Sequence, residues 1–276
     1  MVTARTARCG QVCLLGVGLL LAGCQGFVDE PATTETPTVT PAPVPEQEPT
    51  GLSAGEVDAG PLAEGHRAAL SRTNYTLTVT ERLFIDGEPR RVTTRTRRVG
   101  RGGRAYLVTR TERTNRFAPS NYAGMTGYWY DGSTELIRYA ADARRRYDRS
   151  DSPGNGLLDD PTEARTVAGT VRAFDTEATA PRQLADGSFH VRVEGLARPN
   201  RIPELGYFVS PRNGTLRLTV DQNGFVRWAR LAYDATLAGT DRQVHVVREL
   251  TVTDVGETAV DPPEWAGRAR SPAEAD

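Results

Sequence analysis

Along the chain the spacing of apolar positions changes character twice. An apolar run at 12–22 gives way to a stretch, 27–51, with almost no large apolar side chain, and from Leu52 onward apolar residues return in regular periods. In 75–85, Tyr75, Leu77, Val79, Leu83 and Ile85 alternate with Thr76, Thr78, Thr80 and Arg82. That period of two predicts a half-buried strand. An Asp86-Gly87 turn leads back through 90–99, and the glycines between 100 and 103 turn the chain again into 104–113. Strands at 128–130 and 134–139 flank Asp131-Gly132, with 145–148 as an edge. Later strands are expected at 189–196, 215–220, 225–235 and 243–255, joined by Asp186-Gly187, Asn223-Gly224 and Gly239-Thr240. Aspartate or asparagine followed by glycine between alternating apolar runs is a hairpin signal.

Two segments follow a helical period instead. At 61–71, Leu62, His66, Ala69 and Leu70 share one face at three- and four-residue spacing. At 160–174, Ala164, Val167, Ala168, Val171 and Phe174 form one stripe behind Asp160-Pro161-Thr162-Glu163. There Asp160 is expected as N-cap, Pro161 at the first helical position and Glu163 closing a capping box. The predicted fold is therefore mainly β with two short helices, built on a large curved antiparallel sheet.

The N-terminus changes the picture by adding an address. Arg5 and Arg8 precede the run at 12–22, which is shorter than the ~20 apolar residues needed to span a bilayer core. It ends in Leu21-Ala22-Gly23-Cys24, which resembles the lipobox of secreted lipoproteins. The resemblance implies cleavage before Cys24 and a lipid on its thiol. The other two cysteines, Cys9 and Cys13, lie in the segment to be removed, so the mature chain has no partner for a disulfide and no cysteine-based metal site. The expected organisation is a signal peptide with lipobox at 1–23, a lipid-anchored Thr/Pro-rich stalk at 24–51, one β-rich globular domain at 52–266 and a disordered tail at 267–276. The expected location is the outer face of the cytoplasmic membrane. A stalk such as Pro41-Ala42-Pro43-Val44-Pro45 buries too little surface to offset its ordering entropy, and about twenty extended residues reach roughly 60 Å.

Composition narrows the partners. The 34 basic residues are all arginine, the net charge is −1, and Ala, Gly, Thr, Val and Asp are abundant. That usage resembles a GC-rich genome and the lysine avoidance common in haloarchaea, while the near-zero charge argues against the very acidic surface of a strong halophile, and the charge balance gives no reason to expect nucleic acid. Arg90, Arg91, Arg95, Arg97, Arg98, Arg101 and Arg104 concentrate on one hairpin. Such a cationic ribbon suits anionic lipid headgroups or acidic glycans, but the preferred expectation is that threonine-spaced arginines on an exposed strand discourage edge pairing.

Catalytic patterns are weak. Gly51-Leu52-Ser53-Ala54-Gly55 has the spacing of a nucleophile elbow but follows the stalk, without a strand before it, so a flexible junction is expected. Gly100 to Ala105 resembles a dinucleotide loop, yet strand-forming Tyr106-Leu107-Val108 follows where a phosphate site needs a helix N-terminus. His66, His190 and His245 have no metal-ligand spacing. No enzyme, cofactor or metal is expected.

Leu62, His66, Leu70 and Asn74-Tyr75-Thr76-Leu77-Thr78-Val79, together with Tyr128-Trp129-Tyr130-Asp131-Gly132 and Pro263-Glu264-Trp265, carry a wider likeness. The order lipobox, stalk, short helix, meander, interrupting helix and closing strands resembles haloarchaeal-type surface lipoproteins of unknown function. More distantly it is similar to the LolA/LppX-like lipid-binding lipoprotein families, over most of the globular part. The resemblance implies an unclosed β-barrel covered by helices, whose apolar face binds or carries a lipid-like molecule at ~0.8 kcal/mol per buried methylene. The candidate face is Leu77, Val79, Leu83, Tyr128, Tyr130, Phe189, Val191, Leu218, Leu231 and Val246. The same alternation is met if Val167, Val171 and Phe174 fill that face and the domain is a structural or interaction module, because alternation reports burial and not what does the burying.

Overall fold

The computed structural model describes residues 48–101, 105–113, 125–141, 144–151, 160–176, 179–203 and 205–271, with strand residues 106–113, 141 and 144 described by their backbone alone. All of them belong to one compact unit beginning at Glu46. Cys24, the leader and the stalk as far as Gln47 lie outside the described residues.

Alternation produces the strands. β3 (Tyr75–Ile85) buries Tyr75, Leu77, Val79, Leu83 and Ile85, and β4 (Glu88–Val99) returns antiparallel to it. Asp86 and Gly87 both have positive φ, 55° and 80°, as a two-residue hairpin turn demands. The meander continues through β5 (Ala105–Arg113), β6 (Met125–Tyr130), β7 (Glu135–Ala141) and β8 (Arg144–Ser150). A second meander runs β9 (Arg182–Gln183), β10 (Phe189–Glu194), β11 (Phe208–Val220), β12 (Val226–Leu237) and β13 (Gln243–Thr253). β13 pairs with β3, so the two meanders form one eleven-stranded sheet in the order β8-β7-β6-β5-β4-β3-β13-β12-β11-β10-β9. Every described neighbour is antiparallel, and β8 and β9 stand at opposite edges, so the sheet is not closed into a barrel.

Where the sequence reading differed, local chemistry explains it. β11 begins well before residue 215, because register shifts around Arg212 and positive φ at Ser210 and Asn213 let the strand pass Pro211 and Gly214, which break the apolar period. The Gly51-to-Gly55 segment is a tight hairpin of β1 (Leu52–Ser53) and β2 (Glu56–Val57) rather than a flexible junction, and Ser53 is exposed on it.

α1 (Ala59–Leu70) is capped by Asp58, whose carboxylate accepts from Gly60 N at 2.9 Å, and it buries Leu62, His66 and Leu70. α2 (Ala164–Arg172) starts differently from the expected capping box. Asp160 still accepts from Ala164 N and Arg165 N, at 3.1 and 2.7 Å, but Pro161 precedes the helix and Glu163 sits at φ 62°. The Glu163 carboxylate is turned to Arg97 and Thr166 and does not reach back to the cap. Both helices lie on one face of the sheet, the inner face. A third helix, α3 (Ala266–Arg270), occupies part of the segment expected to be a disordered tail. It is held on the opposite face of β6–β8, where Trp265, Ala266 and Ala269 pack with Trp129, Leu136 and Tyr147. Gly127 permits this approach, since a Cβ there would stand 3.1 Å from the Trp265 ring.

Candidate ligand-binding face

The inner face divides into two halves. On the half formed by β3 and β10–β13, Leu77, Val79, Leu83, Phe189, Val191, Leu218, Leu231 and Val246 join one buried core with Leu62 and Leu70 of α1 and Val167 and Val171 of α2. The cavity left under α2, lined by Thr166, Val167, Thr170, Leu218, Leu231 and Arg248 among others, measures about 20 Å³. That is room for about one water, and the walls are largely apolar. Eight of the ten candidate residues therefore belong to the same buried core as the chain's own helices, and α2 takes the place that an acyl chain would need there.

Tyr128 and Tyr130 belong to the other half. Tyr128 and Met125 are buried, with Tyr130, Ile137 and Tyr139 packed against them, in a patch separate from the main core. Register places the patch on the inner face, since Tyr75 pairs with Val99, Val99 with Ala105 and Ala105 with Tyr130. Burial pushes the Tyr128 phenol up from its ordinary value.

Between the halves runs a line of guanidiniums along β4. Arg91, Arg95 and Arg97 are the register partners of Leu83, Val79 and Leu77. Arg91 is 3% and Arg97 7% exposed, so the expected exposed arginine strand is corrected at these positions. Alternate residues of β4 point inward whatever their polarity, and these arginines find partners there. Arg91 donates to Glu81, and Arg248 donates to the other oxygen of Glu81 at 2.9 Å. Burial alone would raise the Glu81 carboxyl, but Arg248 and Arg91, with Arg95 nearby, hold it below the usual carboxylate range. Arg97 donates to the carbonyls of Asp160 and Pro161, both at 2.8 Å, and to Glu163 at 3.1 Å, tying the start of α2 to the sheet. The Nε atoms of Arg91 and Arg97 and the hydroxyl of Tyr75 are buried without a hydrogen-bond partner. A signal for this network stood in the sequence: Glu81 interrupts Leu77-x-Val79-x-Glu81-x-Leu83, and Arg248 interrupts Val244-x-Val246-x-Arg248-x-Leu250, at paired positions.

The histidines are structural or exposed. His66 donates from Nε2 to Thr162 O at 2.8 Å and accepts at Nδ1 from Val226 N at 3.0 Å, and burial lowers its pKa. His245 meets Asp234 at 2.8 Å, and His190 is half-buried on β10. Among the described residues, no group of three or more His, Cys, Asp or Glu is placed to hold a metal, and no helix is long and apolar enough to cross a membrane.

No protein-family model matches the sequence, and no curated protein matches it. Among solved structures, a LolA superfamily protein from Nitrosomonas europaea is similar at 12% identity and TM-score 0.25, covering 75% of this chain and 96% of that one. A DUF1329 family protein from Desulfovibrio piger is similar at 11% identity and TM-score 0.26, covering 74% and 93%. Superpositions this loose transfer no chemistry, and the functional reading rests on this chain's own residues.

Proposed function

We propose that this chain is a non-enzymatic surface lipoprotein of haloarchaeal type, tethered through lipid on Cys24 to the outer face of the cytoplasmic membrane, that binds an amphiphilic lipid-like molecule. The observation that carries the reading is the pairing, on one inner face, of the Met125–Tyr128–Tyr130 patch with the guanidinium line of β4. An apolar and aromatic bed beside fixed cations suits a molecule with a hydrocarbon body and a polar end, and the buried unpaired Nε atoms add donors without a partner. On this reading the bed lies over β4–β7, away from the half whose core α1 and α2 complete.

The test is native mass spectrometry of full-length protein extracted gently from membranes. The expected result is a chain beginning at a lipid-modified Cys24 that carries a further adduct of lipid mass, and the adduct should weaken in Tyr130→Glu. A clean apo mass with no uptake of fluorescent fatty acid would remove the ligand reading, and an unprocessed leader would remove the tether.

A second reading, an interaction module with a filled core, is favoured by the 20 Å³ cavity under α2. It predicts a single crosslinked envelope partner in intact cells and no lipid adduct.

A further inference from the structure

The opposite face of the sheet carries a groove that the lipid reading leaves unused. At its floor, Thr219 of β11, Trp228 of β12 and Thr251 of β13 are successive register partners, and the row continues into Thr78 and Thr96. Adjacent strands stand about 4.8 Å apart, so one indole is flanked on both sides by hydroxyl-bearing positions at the same level. The β9–β10 turn, the β11–β12 turn and the turn after β13 add Asp186, Asp221 and Asp254 to the lining as its rim. The space enclosed is about 660 Å³ and opens to solvent. Small-molecule sites run from about 300 to 1,000 Å³. α3 covers the same face only at its far end, over β6–β8.

The chemistry of the lining selects among ligands. Each rim aspartate uses one oxygen on its own turn: Asp186 accepts from Ser188 N and Oγ, Asp221 from Asn223 N, and Asp254 from the Thr253 hydroxyl. The carboxylates are thereby fixed in place, and an ionised carboxylate is acceptor-only. Against them stands Arg227, 3.8 Å from Asp186, so the rim is net negative and opposes phosphate, sulfate or carboxylate ligands. A half-buried tryptophan offers a large apolar plane with a polar edge. Acceptors that need donors, hydroxyls that serve as either, and one aromatic plane match a molecule with many O–H groups and one C–H-rich face.

We infer that this groove is a carbohydrate site for an uncharged glycan chain, with a sugar face on the Trp228 indole and sugar hydroxyls donating to the rim carboxylates. This site is independent of the lipid-binding face, so the outcome of either test leaves the other standing.

The probes are maltotriose, cellotriose, mannotriose and the trimer of N-acetylglucosamine. Each is titrated into full-length 15N-labelled protein held in a polyoxyethylene detergent, since sugar-headed detergents would compete. At least one trisaccharide should move the Trp228 indole resonance saturably while those of Trp129 and Trp265 stay fixed. Trp228→Ala should weaken that binding about two- to tenfold, the weight of one aromatic stacking contact, whereas Trp228→Tyr should retain most of it. Thr253→Arg, a substitution at an exposed position that obstructs the groove without touching the core, should weaken binding even if Trp228→Ala folds poorly. The inference is overturned if no trisaccharide shifts Trp228 at tens of millimolar. It is equally overturned if binding survives both Trp228→Ala and Thr253→Arg, or if only anionic lipid vesicles move the resonance.

Discussion

His66 is the side chain through which α1 holds both α2 and the sheet, and replacing it with leucine puts that role to measurement. The leucine removes the bond to Thr162 O and the bond from Val226 N, leaving a buried carbonyl and a buried amide unpaired. At about 1–3 kcal/mol each, the loss is about 2–6 kcal/mol, against the ~5–15 kcal/mol that holds an ordinary domain together. A pH signature accompanies it. Burial lowers the folded pKa of His66, while an unfolded histidine titrates near 6.5, so acid favours the unfolded chain. The His66 contribution is intact above 6.5 and drains as pH falls towards the folded pKa, with a slope of up to ~1.4 kcal/mol per pH unit. Urea unfolding followed by tryptophan fluorescence at pH 7.5 and 5.5 measures both effects. His66→Leu should be less stable at the higher pH and lose less on acidification than the parent. A loss under ~1 kcal/mol, together with an unchanged pH dependence, would refute the reasoning.

Three further outcomes follow from the inner face. Glu81→Gln should cost about 3–5 kcal/mol in urea unfolding at pH 7, because Arg91 and Arg248 lose their buried carboxylate. The parent should also become less stable as pH falls below about 4.5, since Glu81 titrates lower when folded, and equal stability of the two proteins at neutral pH would show the network to be idle. Leu218→Ala enlarges the space under α2 and should cost about 2–5 kcal/mol by thermal melting, and its cavity should take up small apolar probes that the parent excludes. Asp160→Ala removes the acceptor of two amides at the start of α2 and should cost about 1–2 kcal/mol, readable as earlier amide exchange at Ala164 and Arg165.

How much of this was legible depended on which force set each feature. β3 was legible from end to end because every second position from Tyr75 to Ile85 is apolar except Glu81. The first half of β11 was hidden by Pro211 and Asn213-Gly214, residues that a strand tolerates only through the register shifts found there. The helix around Val167 was legible, but its docking was not, since a stripe of apolar residues does not say which surface it covers. Arg91 and Arg97 were read as exposed because hydrophobicity ranks arginine outermost, whereas a buried guanidinium is decided by partners distant in sequence: Glu81, Glu163 and the carbonyls before α2. Trp228 went unremarked because it stands among Arg227, Ala229 and Arg230, and its neighbours Thr219 and Thr251 come together only through strand pairing.

The two rims of the open sheet bear on how copies of this chain meet when they are held close together. β9 is only two residues long, and β8 turns exposed Arg145, Arg146, Asp148 and Arg149 outward. The proposed tether would confine copies to a thin layer, where encounters between sheet borders become frequent and an unguarded border would recruit its neighbours into a continuous ribbon. A stub at one border and a dense fringe of charge at the other leave little for a second copy to zip onto, so many copies can stand side by side as individuals.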